Sequence, residues 1–249
     1  MIDQTKNDMN AMKWHGALST MDLRIKEAQS NGWGYTDFLS ALVTDEKLYR
    51  DNRATERRLK YATFRVNASL EHIDLTAKRS LTRGLLQDLR HLPFLRSAKQ
   101  NILIDGATGV GKTHLATAIG EHACREGFST LFLAWSVLIE RWLMTRADGT
   151  FLKFRDRLSK VDLLIIDDIG LKRLSQDAVQ DLHDLLEERQ SKCTIITTQL
   201  PLKNWKEIIE DELALDTVVD KLASGTLSIK IEGESYRKKK AKKDQLDKP

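Results

Sequence analysis

A glycine-rich segment near the middle of the chain has the spacing of a phosphate-binding loop. The pattern G-x-x-x-x-G-K-[ST] is matched at every fixed position by Gly106, Ala107, Thr108, Gly109, Val110, Gly111, Lys112 and Thr113. In such loops, backbone N–H groups turn inward around the phosphates, and the N-terminus of the next helix adds positive potential. The lysine reaches the β- and γ-phosphates, and the threonine hydroxyl binds Mg²⁺. Residues 106–113 and the adjacent His114 therefore predict a site for a nucleotide with magnesium.

Two consecutive carboxylates follow an apolar run about 50 residues further along the chain. Residues 163–166 are only Leu and Ile, and Asp167 and Asp168 come directly after them. This pattern is typical of a Walker B strand, in which the first acid joins the magnesium shell and the next can orient the attacking water. We expect this strand to run beside the strand that precedes the glycine-rich loop, so that Asp167 reaches the metal.

The next apolar run ends in the polar tip Thr197-Thr198-Gln199. Such a tip would face the γ-phosphate between the two motifs, although the same residues are equally typical of a turn. The six histidines have no metal-binding or triad spacing, and we interpret them as structural or surface groups. Cys124 and Cys193 form neither a metal-binding pattern nor a disulfide framework, so we expect two reduced thiols. No NKxD-type guanine-specificity motif is present, which lowers the case for a GTPase.

Positive charge is concentrated at the two ends of the sequence. Residues 1–98 contain 16 Lys/Arg and 12 Asp/Glu, and residues 236–249 contain 7 and 2. The densest stretch, residues 47–65, is predicted to be a helix and could contact the phosphates of DNA, since each Lys or Arg near a duplex releases counterions. Its alternative interpretation is a solvated helix face. The candidate DNA-binding residues are Arg50, Arg53, Arg57, Arg58 and Lys60.

The elements that must position these residues follow from the spacing of apolar side chains. Residues 10–65 predict a small helical domain of three helices: one over 10–28, one after the glycine-containing break at 31–34, and the basic stretch. After residue 100, apolar runs at 101–105, 130–134, 161–166, 194–198 and 226–231 predict five strands. Helices are expected at 112–125, in two short pieces over 136–158, after Ser175, and over 205–222. Strands separated by helices indicate a parallel α/β sheet covered on both faces.

Four segments together resemble one known family. They are GATGVGKTHLATAIG, LLIIDDIG, the strand ending in TTQ, and the closing GESYRKKK, and the likeness runs in order through residues 10–240. The chain resembles the IstB-like helper ATPases of insertion sequences, which are similar to the helicase loader DnaC and the initiator DnaA in the AAA+ class. The resemblance implies an AAA+ P-loop core with a five-stranded parallel sheet over residues 99–235. It also implies a helical DNA-binding domain over 1–66, a connector that begins the nucleotide-binding region over 67–98, and a basic tail over 236–249.

The resemblance also implies an activity and partners. Such a protein binds ATP with Mg²⁺, assembles into homo-oligomers on double-stranded DNA, and delivers or activates the transposase of the same element. Residues 106–113 would hold the nucleotide, residues 68–75 would pass over the adenine, and residues 136–160 correspond to the extra helical insertion of the initiator group. Alternatives are a helicase-loader-like replication ATPase and an ATP-gated architectural DNA clamp with little turnover. No membrane partner is expected, because the longest uncharged stretch has 13 residues where a spanning helix needs about 20. The N-terminus does not resemble a signal peptide, and the two cysteines expected to be reduced indicate a cytoplasmic protein.

Three departures from the family pattern predict slow hydrolysis. Asp168 occupies the catalytic-acid position where the family has glutamate, and Gln199 replaces the sensor asparagine. Lys221 falls at the position of an arginine that acts on the nucleotide of the neighbouring subunit. A lysine keeps that charge but loses the bidentate fork of arginine. Together with Lys112, these residues are the expected catalytic set.

Overall fold

The computed structural model describes residues 2–74, 80–97, 100–170, 173–223, 225–233 and 235. The chain divides into two compact units, Met1–Arg57 and Arg58–Pro249, and each is described by itself. Among the described residues, no helix combines the length and the apolar character needed to cross a bilayer.

The described part of the first unit is built from the helices α1 (Ile2–Ala11), α2 (His15–Asn31) and the first part of α3 (Tyr35–Ala62). Two expectations were wrong here. The predicted helix over 10–28 is interrupted near Lys13, which adopts a φ of 60° between α1 and α2. The two helices expected after residue 34 form one continuous helix, because no glycine or proline interrupts residues 35–62. A buried carboxylate, Glu46, replaces a local N-cap for α2 by accepting the backbone N–H groups of Gly16 at 2.8 Å and Ala17 at 3.2 Å.

The second unit contains the predicted parallel sheet. Its five described strands are β1 (Ile102–Gly106), β2 (Thr130–Ala134), β3 (Leu163–Ile169), β4 (Cys193–Thr198) and β5 (Leu227–Ile231). They lie in the order β2-β3-β4-β1-β5, with every pair parallel. The expectation that β3 runs beside β1 was wrong, because β4 is inserted between them. Strand length and hydropathy predict a buried strand but do not specify its neighbour, which is set by packing across the whole sheet.

Helices cover both faces of this sheet. They are α4 (Arg83–His91), α5 (Pro93–Arg96), α6 (Lys112–Arg125), α7 (Trp135–Ala147), α8 (Phe151–Lys160), α9 (Gln176–Glu188) and α10 (Glu212–Ala223). The expected start of α9 is confirmed, since the Ser175 hydroxyl accepts the N–H of Ala178. The single helix expected over 205–222 was wrong. A 3₁₀ turn at Leu202–Glu207 precedes α10, and Asp211 caps α10 by accepting the N–H groups of Leu213 and Ala214, as aspartate does at an N-cap.

A buried arginine ties α8, α9 and β4 together. Arg189 is 1% exposed and donates to the carbonyl oxygens of Leu158 at 2.6 Å, Val161 at 2.9 Å and Cys193 at 2.5 Å. Its Nε also donates to the Thr194 hydroxyl at 3.0 Å. Burial lowers the pKa of Arg189 to about 10, so the side chain stays protonated at neutral pH. These bonds fix the start of β4, whose other end reaches the candidate site.

Candidate nucleotide-binding site

The glycine-rich loop joins β1 to α6 as its sequence predicts. Gly111 has a φ of 107° directly before α6, a backbone conformation that residues with a Cβ rarely adopt. A Cβ at Gly106 would lie 2.3 Å from the carbonyl oxygen of Ile231 on β5, so only glycine allows this close approach. The loop backbone is therefore free to wrap around a ligand while it stays packed on the sheet.

The loop lysine is held across the loop itself. Lys112 is 5% exposed, and its Nζ donates to the carbonyl oxygens of Gly106 at 2.9 Å and Ala107 at 3.0 Å. These carbonyl contacts keep the ammonium group at the mouth of the loop. A cation at this point suits the phosphates of a nucleotide.

A cavity of about 420 Å³ opens beside the loop. It is lined by Asp168 of β3, by Gln199 directly after β4, and by the loop residues Thr108, Gly109, Gly111, Lys112 and Thr113 with His114. Val66, His72 and Asp74 also line it. His72 and Asp74 belong to the segment that the resemblance assigned to the adenine, although Leu75 at its end lies outside the described residues. The cavity thus brings together residues separated by more than a hundred positions in the sequence.

Asp167 lies against the threonine of the loop. Its carboxylate is 3% exposed and accepts the Thr113 hydroxyl at 3.0 and 3.1 Å. Burial raises the pKa of Asp167, and hydrogen bonds from Thr197 and Thr113 offset only part of this effect. A hydroxyl and a carboxylate are oxygen ligands of the kind Mg²⁺ prefers, and the ion usually takes few protein ligands besides phosphates and water. The residues present therefore fit a magnesium ion bound together with a nucleotide.

Asp168 has a backbone conformation unlike that of its neighbours. Its φ is +61°, in the left-handed region, and the pairing of β3 with β4 shifts register between Ile166 and Ile169. This irregularity carries the Asp168 side chain to the cavity wall. A shift of this kind is a β-bulge, a device found next to active sites because it re-aims a side chain.

The tip of β4 lies between the loop and the acids. Gln199 lines the cavity and accepts the Thr108 hydroxyl at 2.8 Å. The sequence places Thr197 only in a polar tip that would face the γ-phosphate, whereas the residue is fully buried and contacts both acids. The available signal was the polar TTQ tip itself, but only the register of β4 against β3 shows which of its residues meets the acids.

Lys221 lies away from this cavity. It is on α10, where its ammonium group pairs with Glu187 of α9. In the described part of the chain it is not among the residues that line the cavity. Its action on the nucleotide of a neighbouring subunit stays a prediction.

The candidate DNA-binding residues share helix α3 but differ in their contacts. Arg50 pairs with Glu46 at 2.6 Å, and Arg53 lies 3.8 Å from Glu56. Arg57 and Lys60 are exposed. Arg58 instead donates to the carbonyl oxygen of Cys124 at 2.7 Å, which is a packing contact of the second unit. DNA binding by all five stays a prediction, and Arg237 and the rest of the predicted basic tail lie outside the described residues.

Comparison with known proteins gives a consistent result. A family model described as IstB-like ATP binding protein matches residues 7–244. The protein y4pL of Sinorhizobium fredii, described as an insertion sequence ATP-binding protein, is 33% identical over 240 residues, covering 96% of this chain and 98% of that protein. The structure of the DnaC helicase loader has a TM-score of 0.56 at 25% identity, covering 67% of this chain and 97% of that one. The replication initiator DnaA bound to AMPPCP and single-stranded DNA has a TM-score of 0.59 at 21% identity, over 75% of this chain and 58% of that one, which shows a shared fold.

Proposed function

The chain belongs to the IstB-like family of insertion-sequence ATP-binding proteins, and from this premise we propose that it is an AAA+ ATPase that assists a transposase. In this proposal the protein binds ATP with Mg²⁺, assembles into a homo-oligomer on double-stranded DNA, and delivers or activates the transposase of its own element. The observation that carries the ATPase part is the convergence of Lys112, Thr113, Asp168 and Gln199 on one cavity.

Each of these side chains has a distinct role in the proposal. Lys112 binds the β- and γ-phosphates, and Thr113 with Asp167 holds Mg²⁺, which neutralises phosphate charge when it is bound. Asp168 orients the attacking water, and Gln199 contacts the γ-phosphate from the tip of β4. Phosphoryl transfer requires little covalent chemistry from the protein, so positioning and charge are sufficient functions for these groups.

Slow turnover follows from the same residues. Asp168 is one methylene shorter than glutamate, so the water that it orients would lie farther from the γ-phosphate. A misplacement of about 1 Å can lower a rate about 100-fold. The Gln199 carbonyl is bonded to Thr108, and the Lys221 ammonium is paired with Glu187. These contacts also favour a second candidate, an ATP-gated DNA clamp in which ATP joins subunits and turnover is dispensable.

DNA binding and assembly are supported by charge rather than by a contact. The exposed Arg53 and Arg57 on α3 offer a sequence-independent phosphate surface, and each subunit of an ATP-joined oligomer would add its own copy. Contacts to phosphate orient a protein on DNA without reading its sequence. We therefore propose largely sequence-independent duplex binding that ATP strengthens.

A paired assay tests the proposal and separates its two forms. ATP turnover and ATP-dependent retention of duplex DNA are measured for the wild type, Lys112→Ala and Asp168→Asn. The ATPase form predicts measurable wild-type turnover that Asp168→Asn abolishes while its DNA complexes persist. The clamp form predicts ATP-dependent retention of duplex DNA with background ATP turnover in both the wild type and Asp168→Asn. If Lys112→Ala retains DNA in the presence of ATP as the wild type does, then nucleotide does not control assembly and both forms are wrong.

The subunit-boundary role of Lys221 has its own test. Mixing Lys221→Ala protein with Lys112→Ala protein should restore part of the turnover, because some mixed interfaces combine an intact loop with an intact Lys221. The absence of rescue at any ratio would show that Lys221 acts within its own subunit or only pairs with Glu187. Strand transfer by a transposase of the same element, with and without the protein and ATP, tests the proposed partner.

A further inference from the structure

We propose that Thr197 is a positioning residue that holds Asp168 in its left-handed conformation, so that both acids of the β3 strand face the nucleotide. The inference rests on the proposed function only for its kinetic consequence. Thr197 is fully buried on β4. Its Oγ1 accepts the backbone N–H of Asp168 at 2.9 Å and donates to Oδ1 of Asp167 at 2.6 Å.

The register of the two strands places Thr197 opposite the irregularity. Ile166 pairs with Ile196 and Ile169 pairs with Thr198, so Asp167 and Asp168 together face the single residue Thr197. An arrangement of two residues against one defines a β-bulge, in which the extra residue loses its ladder partner. The Thr197 hydroxyl takes the place of that partner for the Asp168 N–H.

The bulge solves a geometric problem. In a regular strand successive side chains point to opposite faces of the sheet, so two consecutive acids would point away from each other rather than toward one ligand. Here Asp167 bonds to Thr113, and both Thr113 and Asp168 line the cavity. The left-handed conformation of Asp168, with a φ of +61°, is what turns the second acid. Aspartate enters this region more readily than most residues other than glycine, but the conformation still costs free energy, and a neighbouring contact stabilises it.

The hydroxyl of Thr197 is suited to this role because it donates one hydrogen bond and accepts another at the same time. A threonine hydroxyl has one proton and accepts through its lone pairs. The proton goes to Asp167 and a lone pair receives the Asp168 N–H, which fixes the two acids relative to each other. Thr113 donates its own proton to the Asp167 carboxylate from the loop side. The Asp168 N–H is bonded instead to the Thr197 hydroxyl.

The test compares three substitutions in β4. Thr197→Val keeps the shape of the side chain and removes the hydroxyl, whereas Thr197→Ser keeps the hydroxyl. Thr198→Val is the matched control, because Thr198 is equally buried in the same strand and bonds to the backbone of Leu200.

The first measurement does not depend on catalysis. Hydrogen exchange of the Asp168 amide and its backbone chemical shifts are followed by NMR in the full-length, nucleotide-free protein. Thr197→Val should speed this exchange at least tenfold and shift the Asp168 signals away from left-handed values, whereas Thr197→Ser and Thr198→Val should leave both unchanged. Unchanged exchange and shifts in Thr197→Val would overturn the proposal, as would an equal effect of Thr198→Val.

The second measurement is steady-state ATP hydrolysis. Thr197→Val should lower kcat about 100-fold, as expected for a misplaced catalytic group, with KM for ATP changed less than about threefold because Lys112 and the bond between Thr113 and Asp167 are retained. Thr197→Ser should restore kcat to within about threefold of the wild type. If the wild type shows no turnover, the proposed ATPase activity fails, while the exchange measurement still decides the role of Thr197. If Thr197→Val does not fold, Thr197→Cys replaces it, since a thiol is only a weak hydrogen-bonding group, and the same change at the Asp168 amide is expected.

Discussion

Replacing Asp167 with asparagine should stabilise the nucleotide-free protein while it weakens the binding of Mg²⁺-ATP. Burial raises the pKa of Asp167, and the hydroxyl groups of Thr197 and Thr113 offset only part of that effect. A carboxyl whose pKa is higher in the folded state than in the unfolded chain destabilises the fold when it is ionised. This penalty is present at neutral pH and disappears as the pH falls below the unfolded-state value.

The magnitude follows from the contacts at this side chain. The asparagine amide oxygen can still accept a hydroxyl proton from Thr113 or Thr197, so the substitution mainly removes a buried charge. We expect the free energy of unfolding to rise by about 1–2 kcal/mol, the scale of a typical stabilising substitution. For a unit of this size that corresponds to a rise in Tm of roughly 2–8 °C. The affinity for Mg²⁺-ATP should fall at least tenfold, about 1.4 kcal/mol, while the affinity measured in EDTA stays unchanged.

Thermal unfolding in EDTA and titration with a fluorescent ATP analogue measure the two effects. The gain in Tm over the wild type should narrow as the pH is lowered from neutrality, because the wild-type carboxyl then takes up its proton. Asp162→Asn is the matched control, for which we expect the opposite change in Tm. Desolvation opposes the ionisation of Asp162, but bonds from Lys192 and Ser129 outweigh it and hold its pKa below the ordinary value. That variant should therefore unfold at a lower temperature, and a fall in Tm for both variants would refute the reasoning about Asp167.

Three further predictions concern the loop, the basic helix and the packing of α6. Lys112→Ala should abolish binding of the fluorescent ATP analogue, and unchanged affinity would contradict the phosphate-loop assignment. Replacing Arg53 and Arg57 together with alanine should lower the slope of log K for duplex binding against log salt by about 0.9 for each DNA phosphate that is no longer neutralised. Duplex binding across a salt series measures this slope, and a wild-type slope would show that the DNA site lies elsewhere. Gly120→Ala should destabilise the protein by about 1–3 kcal/mol in urea unfolding, since its Cβ would lie 2.7–2.9 Å from side chains packed on α6. Gly84→Ala is the control, because the nearest atom there is 3.9 Å away, and a helical alanine should raise stability by about 0.5–1 kcal/mol.

The elements of the nucleotide-binding unit could be predicted because each is encoded by neighbouring residues. Helix α6 has the expected bounds, and the five apolar runs became the five strands, because hydrophobic periodicity acts within a few residues. The wrong expectations concern where a helix is interrupted, which hydrophobic periodicity does not indicate. The uninterrupted α3 reflects the lack of a breaking residue, and the gap before α10 reflects capping by Asp211.

What the sequence by itself determined was the phosphate loop, the pair of acids and the class of fold, since motif spacing and hydrophobic periodicity can be read within short stretches of the chain. The tertiary structure alone decided that β4 separates β3 from β1, and that Thr197 faces both acids. The lateral order of strands and the position of a bulge depend on contacts between residues about 30 to 90 positions apart. Those contacts are selected by packing of the whole sheet, which no local pattern of residue types records.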